Sequence, residues 1–197
     1  MEVPFCETSK QDKTIVKCFP GARIERIHAA IVEERRQYDT VIILVGSNDC
    51  ADSADASSIV DKYRLLANDA QNIANDIQVS SLCPRVDDIA AQECAEVVNT
   101  ELEALCREKG YKFINNDAKF RLADATINEG ALLTDGLHLS PFGSKLLIEN
   151  FGLSHLYVNQ RDHKNRKHNG TGNKNIDHKK PQWAKKKKEN SNNTPHD

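Results

Sequence analysis

Val41-Ile42-Ile43-Leu44-Val45-Gly46-Ser47-Asn48-Asp49 contains the clearest strand in the sequence. Its five apolar residues, four of them β-branched, do not alternate with polar ones. That pattern predicts a strand covered on both faces, as in a parallel sheet flanked by helices. Residues 46 to 49 then read as the exit loop at its carboxyl end. Toward the N-terminus, Ile24, Ile27 and Ile31 fall at helical spacing and predict a helix over 24 to about 36, ended by the solvated run Glu33-Glu34-Arg35-Arg36. Ahead of it, residues 14–19 form a short β-branched and apolar run closed by Pro20-Gly21, which reads as a strand ending in a turn.

Toward the C-terminus, Ile59, Tyr63, Leu66, Ala70 and Ile73 trace a helical stripe within about 58–76, and 77–82 returns to an extended pattern with Pro84 in its exit loop. A helix over 88–109 presents Ile89, Val97, Val98, Leu102 and Leu105, stops at Gly110 and feeds a strand over 111–114. After a connection over 115–139, Ser140-Pro141 supplies a hydroxyl cap and a first-turn proline for a helix to about 150. Strands and helices that alternate with short links imply right-handed crossovers. The expected fold is therefore a three-layer α/β/α domain with a mostly parallel sheet. In such sheets ligands sit beyond the carboxyl ends of the strands.

The chain has 197 residues, and its composition changes near Val158. Eleven of the 27 Lys and Arg but only four of the 29 Asp and Glu lie beyond it, which leaves 16 basic and 25 acidic residues before it. We expect an irregular segment over 1–13, a folded domain over 14–157 and a basic disordered tail over 158–197. The tail has a basic run around Trp183. In it Lys185, Lys186, Lys187 and Lys188 could meet phosphates while Trp183 stacks on an unpaired base, so RNA or another polyanion is a candidate partner, and nuclear import a candidate role.

No apolar run reaches the roughly 18 to 20 residues of a membrane span, and the first residues lack a basic region followed by an apolar core. The six cysteines, Cys6, Cys18, Cys50, Cys83, Cys94 and Cys106, contain no CxxC pair and read as reduced thiols. The expected location is cytoplasmic or nuclear, without secretion, and the sequons at Asn169 and Asn192 then count as chance matches. There is no phosphate-cradling glycine loop, and His163, His168 and His178 are too irregularly spaced to suggest a metal site. No cofactor or metal is expected.

Three short motifs fall where this architecture would place a site: Gly21 after one strand, Asn48 after the next, and Asp135-Gly136-Leu137-His138 ahead of the last helix. Singly each reads as an ordinary turn; as an ordered set they are specific. The order CFPGARI, VIILVGSND, DGLHLSPFGSKLL resembles blocks two, three and five of the SGNH (GDSL-type) hydrolase family over about residues 14–152, most closely its retrotransposon-associated esterase domains. The resemblance implies a flavodoxin-like α/β/α fold and carboxylic-ester hydrolysis of a small ester substrate. Gly21 N–H and the Asn48 amide would be oxyanion donors, His138 the general base and Asp135 the residue that holds its tautomer.

The family's first block, an apolar strand ending in Gly-Asp-Ser, has no counterpart in this sequence, so the nucleophile is unassigned and the first strand of the fold is expected to be missing. Only thirteen residues precede Thr14, and a start at an internal methionine of a longer ancestor is the reading that fits. Ser9, Cys6 and Cys50 are poor substitutes, Cys50 the least poor because thiolates are intrinsically nucleophilic. The resemblance therefore leads us to expect an esterase-like domain that is catalytically dead as it stands, with a weakened or rearranged sheet beside residues 14–18. Its rivals are a non-catalytic RNA-binding or interaction module and a gene fragment without function.

Overall fold

Capping residues set most of the helix limits. The structure, a computed structural model, describes residues 14–52 and 55–154. Asp88 accepts a hydrogen bond from Ala91 N and starts α4 (Ile89–Lys109), while Gly110, at φ +73°, ends it in the left-handed conformation that glycine adopts without strain. Ser140 caps α5 (Pro141–Asn150) by accepting from Gly143 N, with Pro141 in the first turn. Asp55 caps α3 (Ala56–Ala70), and α1 spans Ile24–Glu33. Between them run β1 (Tyr38–Ile43), β2 (Ala74–Ser80) and β3 (Lys112–Ile114).

The three strands form one sheet in the order β1-β2-β3, and both pairings are parallel, with Ile43 opposite Val79 and Ser80 opposite Ile114. The mostly parallel α/β expectation is met. A core of Ile43, Ile59, Tyr63, Leu66, Ile77, Val79, Val98 and Leu102 lies between strands and helices, each at most 3% exposed. Among the described residues no helix is long and apolar enough to cross a membrane, and the cysteines form no disulfide.

Several expectations need correction. Residues 14–19 form no strand; Val16 is 51% exposed, so the run lacks the burial that would offset ordering it as a strand. Among the described residues the sheet accordingly starts at β1, which is an edge strand there, and Leu44 just beyond it is 38% exposed instead of covered. The loop after β1 contains a short helix, α2 (Ser47–Ala51), entered through Gly46 at φ +115°. The helix expected over 58–76 stops at Ala70, because Asn68, Asp69 and Asn72 disfavour helix interiors and form the turn into β2. On α4 the buried stripe is Ala91, Ala95, Val98, Leu102, Leu105 and Cys106, while Ile89 and Val97 are 78% and 49% exposed. Small alanines allow close helix approach, and counting only large apolar residues misses them.

Candidate active site

The candidate residues within the described range lie in connections between elements: Gly21 ahead of α1, Asn48 in α2 just past β1, and Asp135 and His138 in the turn ahead of α5. Tyr63, fully buried on α3, accepts from Val45 N at 3.1 Å and donates to Val45 O, which pins the chain where it leaves β1. Gly46 follows under two constraints: its left-handed φ, and a Cβ position only 3.3 Å from a Leu82 methyl and 3.4 Å from the Tyr63 ring. The turn aims α2 at the 19–24 segment. Asn48 Nδ2 donates to Ala22 O at 3.0 Å, and Ile24 N donates to Asp49 Oδ2 at 3.2 Å. Gly21, exposed and at φ +67°, sits in the turn closed by Ala22 N donating to Phe19 O. Gly21 and Asn48 are thus brought together, one residue apart across a hydrogen bond. One hydrogen of the Asn48 amide goes to Ala22 O, and the nitrogen has a second to offer.

Asp49 is 1% exposed, and its Oδ1 has no hydrogen-bond partner; the Lys62 ammonium stands 3.8 Å away. Burial raises its carboxyl pKa, against the hydrogen bond from Ile24 N.

The second half of the site is a turn that closes on itself. Leu133 N donates to His138 O at 2.7 Å, Leu132 and Leu139 form an antiparallel bridge, and Gly136 N donates to Leu133 O. Inside the turn, Asp135 Oδ1 accepts from Leu137 N at 3.0 Å and His138 N at 2.9 Å, while Oδ2 lies 2.8 Å from His138 Nδ1. These hydrogen bonds, the two backbone ones first, lower the Asp135 pKa to about 2. An ionised carboxylate only accepts, so Nδ1 carries the proton, and in the neutral ring Nε2 is the acceptor nitrogen. The His138 side chain is 72% exposed and that of Asp135 49%.

Arg85 joins the two halves, and the sequence reading missed it. Its guanidinium, 5% exposed, donates to Ser47 O at 2.9 Å and grips Asp87 with two bonds of 2.8 and 2.7 Å. Next to it, Val86 N donates to Gly136 O at 2.8 Å. No motif signals an arginine in this role; the one available hint was its place after Pro84 in the exit loop of β2. A buried polar group was missed as well: Ser81 Oγ accepts from Asn116 N and Asp117 N, and the Asn116 amide bonds Ser80 Oγ and Asn150, joining the ends of β2 and β3 to α5.

As to a nucleophile, Ser80 and Ser81 are fully buried, and Cys50 is 3% exposed with its thiol pushed up to about 12, chiefly by burial. Cys6 and Ser9 lie outside the described residues, as do Trp183, Lys185, Lys186, Lys187 and Lys188. Among the described residues no group of three or more His, Cys, Asp or Glu is placed to hold a metal ion. A shallow cavity of about 380 Å³ beside Ile31, Glu34 and Asn72 includes none of the candidate residues.

The parallel α/β sheet thus carries the Asn48 amide just past β1 and a carboxylate-bound histidine in the turn ahead of α5. Residues 6–146 match the model of the GDSL-like lipase/acylhydrolase family, and the chain belongs to that family. Solved structures agree on the fold. An acetylxylan esterase from Geobacillus stearothermophilus is 18% identical with a TM-score of 0.61, over 71% of this chain and 70% of that one. A GDSL-like lipase from Bacteroides thetaiotaomicron is 15% identical with a TM-score of 0.58, over 70% and 73%. A member of the lipolytic G-D-S-L family from Veillonella parvula is 16% identical with a TM-score of 0.55, over 64% and 69%. A comparison with curated protein sequences gave no match.

Proposed function

We propose that this chain carries an ester-hydrolase site in which His138 is the general base, Asp135 fixes and stabilises its imidazole, and Gly21 N–H with the Asn48 amide meets the developing oxyanion. The observation that carries this reading is the 2.8 Å contact of Asp135 with His138 Nδ1, which leaves Nε2 on an exposed ring free to take a proton. Gly-Asp-Ser does not occur in the sequence, and Cys50 is buried with a raised pKa. We therefore also propose turnover close to background, since loss of the nucleophile in a serine hydrolase costs on the order of 10⁶.

Two measurements test these claims. Hydrolysis of a short p-nitrophenyl ester by the full chain and by His138→Ala should be equally close to background; turnover abolished by the substitution would overturn the claim of inactivity. Titration with acetate, which mimics the product carboxylate, should shift the NMR signals of Gly21 N–H, the Asn48 side-chain amide and the His138 ring together. Unmoved signals at all three would remove the site assignment.

A second reading rests on the charge split. Residues 159–197 hold 11 basic and 4 acidic residues and fit a polyanion such as RNA. RNA binding that weakens with salt and disappears on deletion of 159–197 is its expected outcome, and binding unchanged by the deletion would refute it.

A further inference from the structure

We propose that Arg85 and Asp87 are positioning residues that tie the Asn48 loop to the Asp135–His138 turn, an inference that rests on the reading of these two segments as halves of one active site. Each tie lands one residue from a candidate group. Arg85 reaches Ser47 O, the carbonyl just before Asn48, and Val86 N reaches Gly136 O, just after Asp135. Arg85 is itself anchored, because its backbone N–H donates to Gln92 Oε1 on α4 at 2.8 Å. The approach of the two loops is too close for a side chain at Gly136. A Cβ there would stand 2.8 Å from a Val86 methyl and 3.0 Å from Asp87 N, and Gly136 is at φ +72°.

The chemistry of the pair suits the task. Guanidinium has a rigid planar fork, so two of its nitrogens hold the Asp87 carboxylate while a third remains for the Ser47 carbonyl. A cation buried to this degree is retained only with such partners, and the two-bond grip on Asp87 fixes which way the guanidinium faces. On Asp87 the hydrogen bonds from Arg85 are the largest influence and lower its pKa, while the charge of Asp135 is the weakest and opposes them. Arg85 therefore pairs the one carboxylate that its own loop sets against the turn at Gly136, next to the residue holding His138.

The test uses the full chain with Arg85→Met, Asp87→Asn and the double variant, read by hydrogen exchange and by NMR titration of carboxyl carbons. With Arg85→Met, amides in 44–51 and 131–139 should exchange about tenfold faster together while β2 and β3 keep their protection. Asp135 should also titrate at higher pH, because Asp87 is left unneutralised. In the double variant the Asp135 titration should return while the fast exchange persists, a separation that a purely structural role would not produce. Should Arg85→Met fail to fold, Asp87→Asn should loosen the same two segments. Exchange unchanged in either segment, or an Asp135 titration that does not move in Arg85→Met, would overturn the coupling. Neither measurement needs substrate, so a failed ester or acetate experiment bears on the hydrolase reading and leaves this coupling to stand or fall alone.

Discussion

Two aspartates, Asp49 and Asp135, each organise one half of the site by opposite means. Asp49 is buried, accepts from Ile24 N, leaves one oxygen unbonded and has its pKa raised by burial. Asp135 is half exposed, accepts from two backbone amides and approaches the imidazole, and its pKa falls to about 2. Asp49 is therefore built into the core, where a small change is felt by the whole fold. Asp135 sits in a surface turn closed largely by its own hydrogen bonds, with its side chain and that of His138 exposed. Stability measurements should report on the first and local probes on the second.

The largest effect is expected at Asp49. Asp49→Ala leaves the Ile24 amide unbonded in the core and should cost about 3 kcal/mol in chemical denaturation at neutral pH. Asp49→Asn keeps an acceptor and should cost far less. A folded pKa above the unfolded value means that the folded state binds the extra proton. The Asp49 contribution should therefore weaken as pH rises from the unfolded value of about 3.9 through the raised folded one, and Asp49→Asn should flatten that slope. Equal losses for the two substitutions would erase the distinction drawn for this residue. Next is Tyr63→Phe, which strands both polar groups of Val45 and should cost about 2 kcal/mol.

The effects then become local. His138→Ala should change stability by no more than about 0.5 kcal/mol, as usual for exposed positions. A loss as large as that of Tyr63→Phe would mean that the turn belongs to the core after all. For Asp135 the sign is reversed: its lowered folded pKa stabilises the turn above an unfolded value of about 3.9, and the contribution disappears as pH falls through about 2. The amide signals of Leu137 and His138 should share a midpoint near 2, while those of β2 do not follow it. A midpoint near 4 would show that the Asp135 hydrogen bonds are not formed.

The sequence made legible what depends on local chemistry. Asp88 and Gly110 marked the ends of α4, Ser140-Pro141 the start of α5, and the Asp135/His138 pair was readable because three residues span its whole geometry. What escaped depends on tertiary partners. A β-branched run at 14–19 has strand propensity but not the burial that would make it a strand. The helical turn of α2 hid in a motif read as a loop. Arg85 looked like any surface arginine, since its role comes from carbonyls and carboxylates that only folding assembles around it. Gly21 and Asn48 were expected at one site, and the bond between their segments runs from Asn48 to the carbonyl of Ala22, which no motif names.

The ring of hydrogen bonds through Leu133, Asp135 and His138 makes the 132–139 turn a small rigid body. If this body tilts on the domain, carboxylate and imidazole travel together, so their mutual geometry is conserved while their aim is not. Drift in this part of the chain would then change where the pair points before it changes the pair itself.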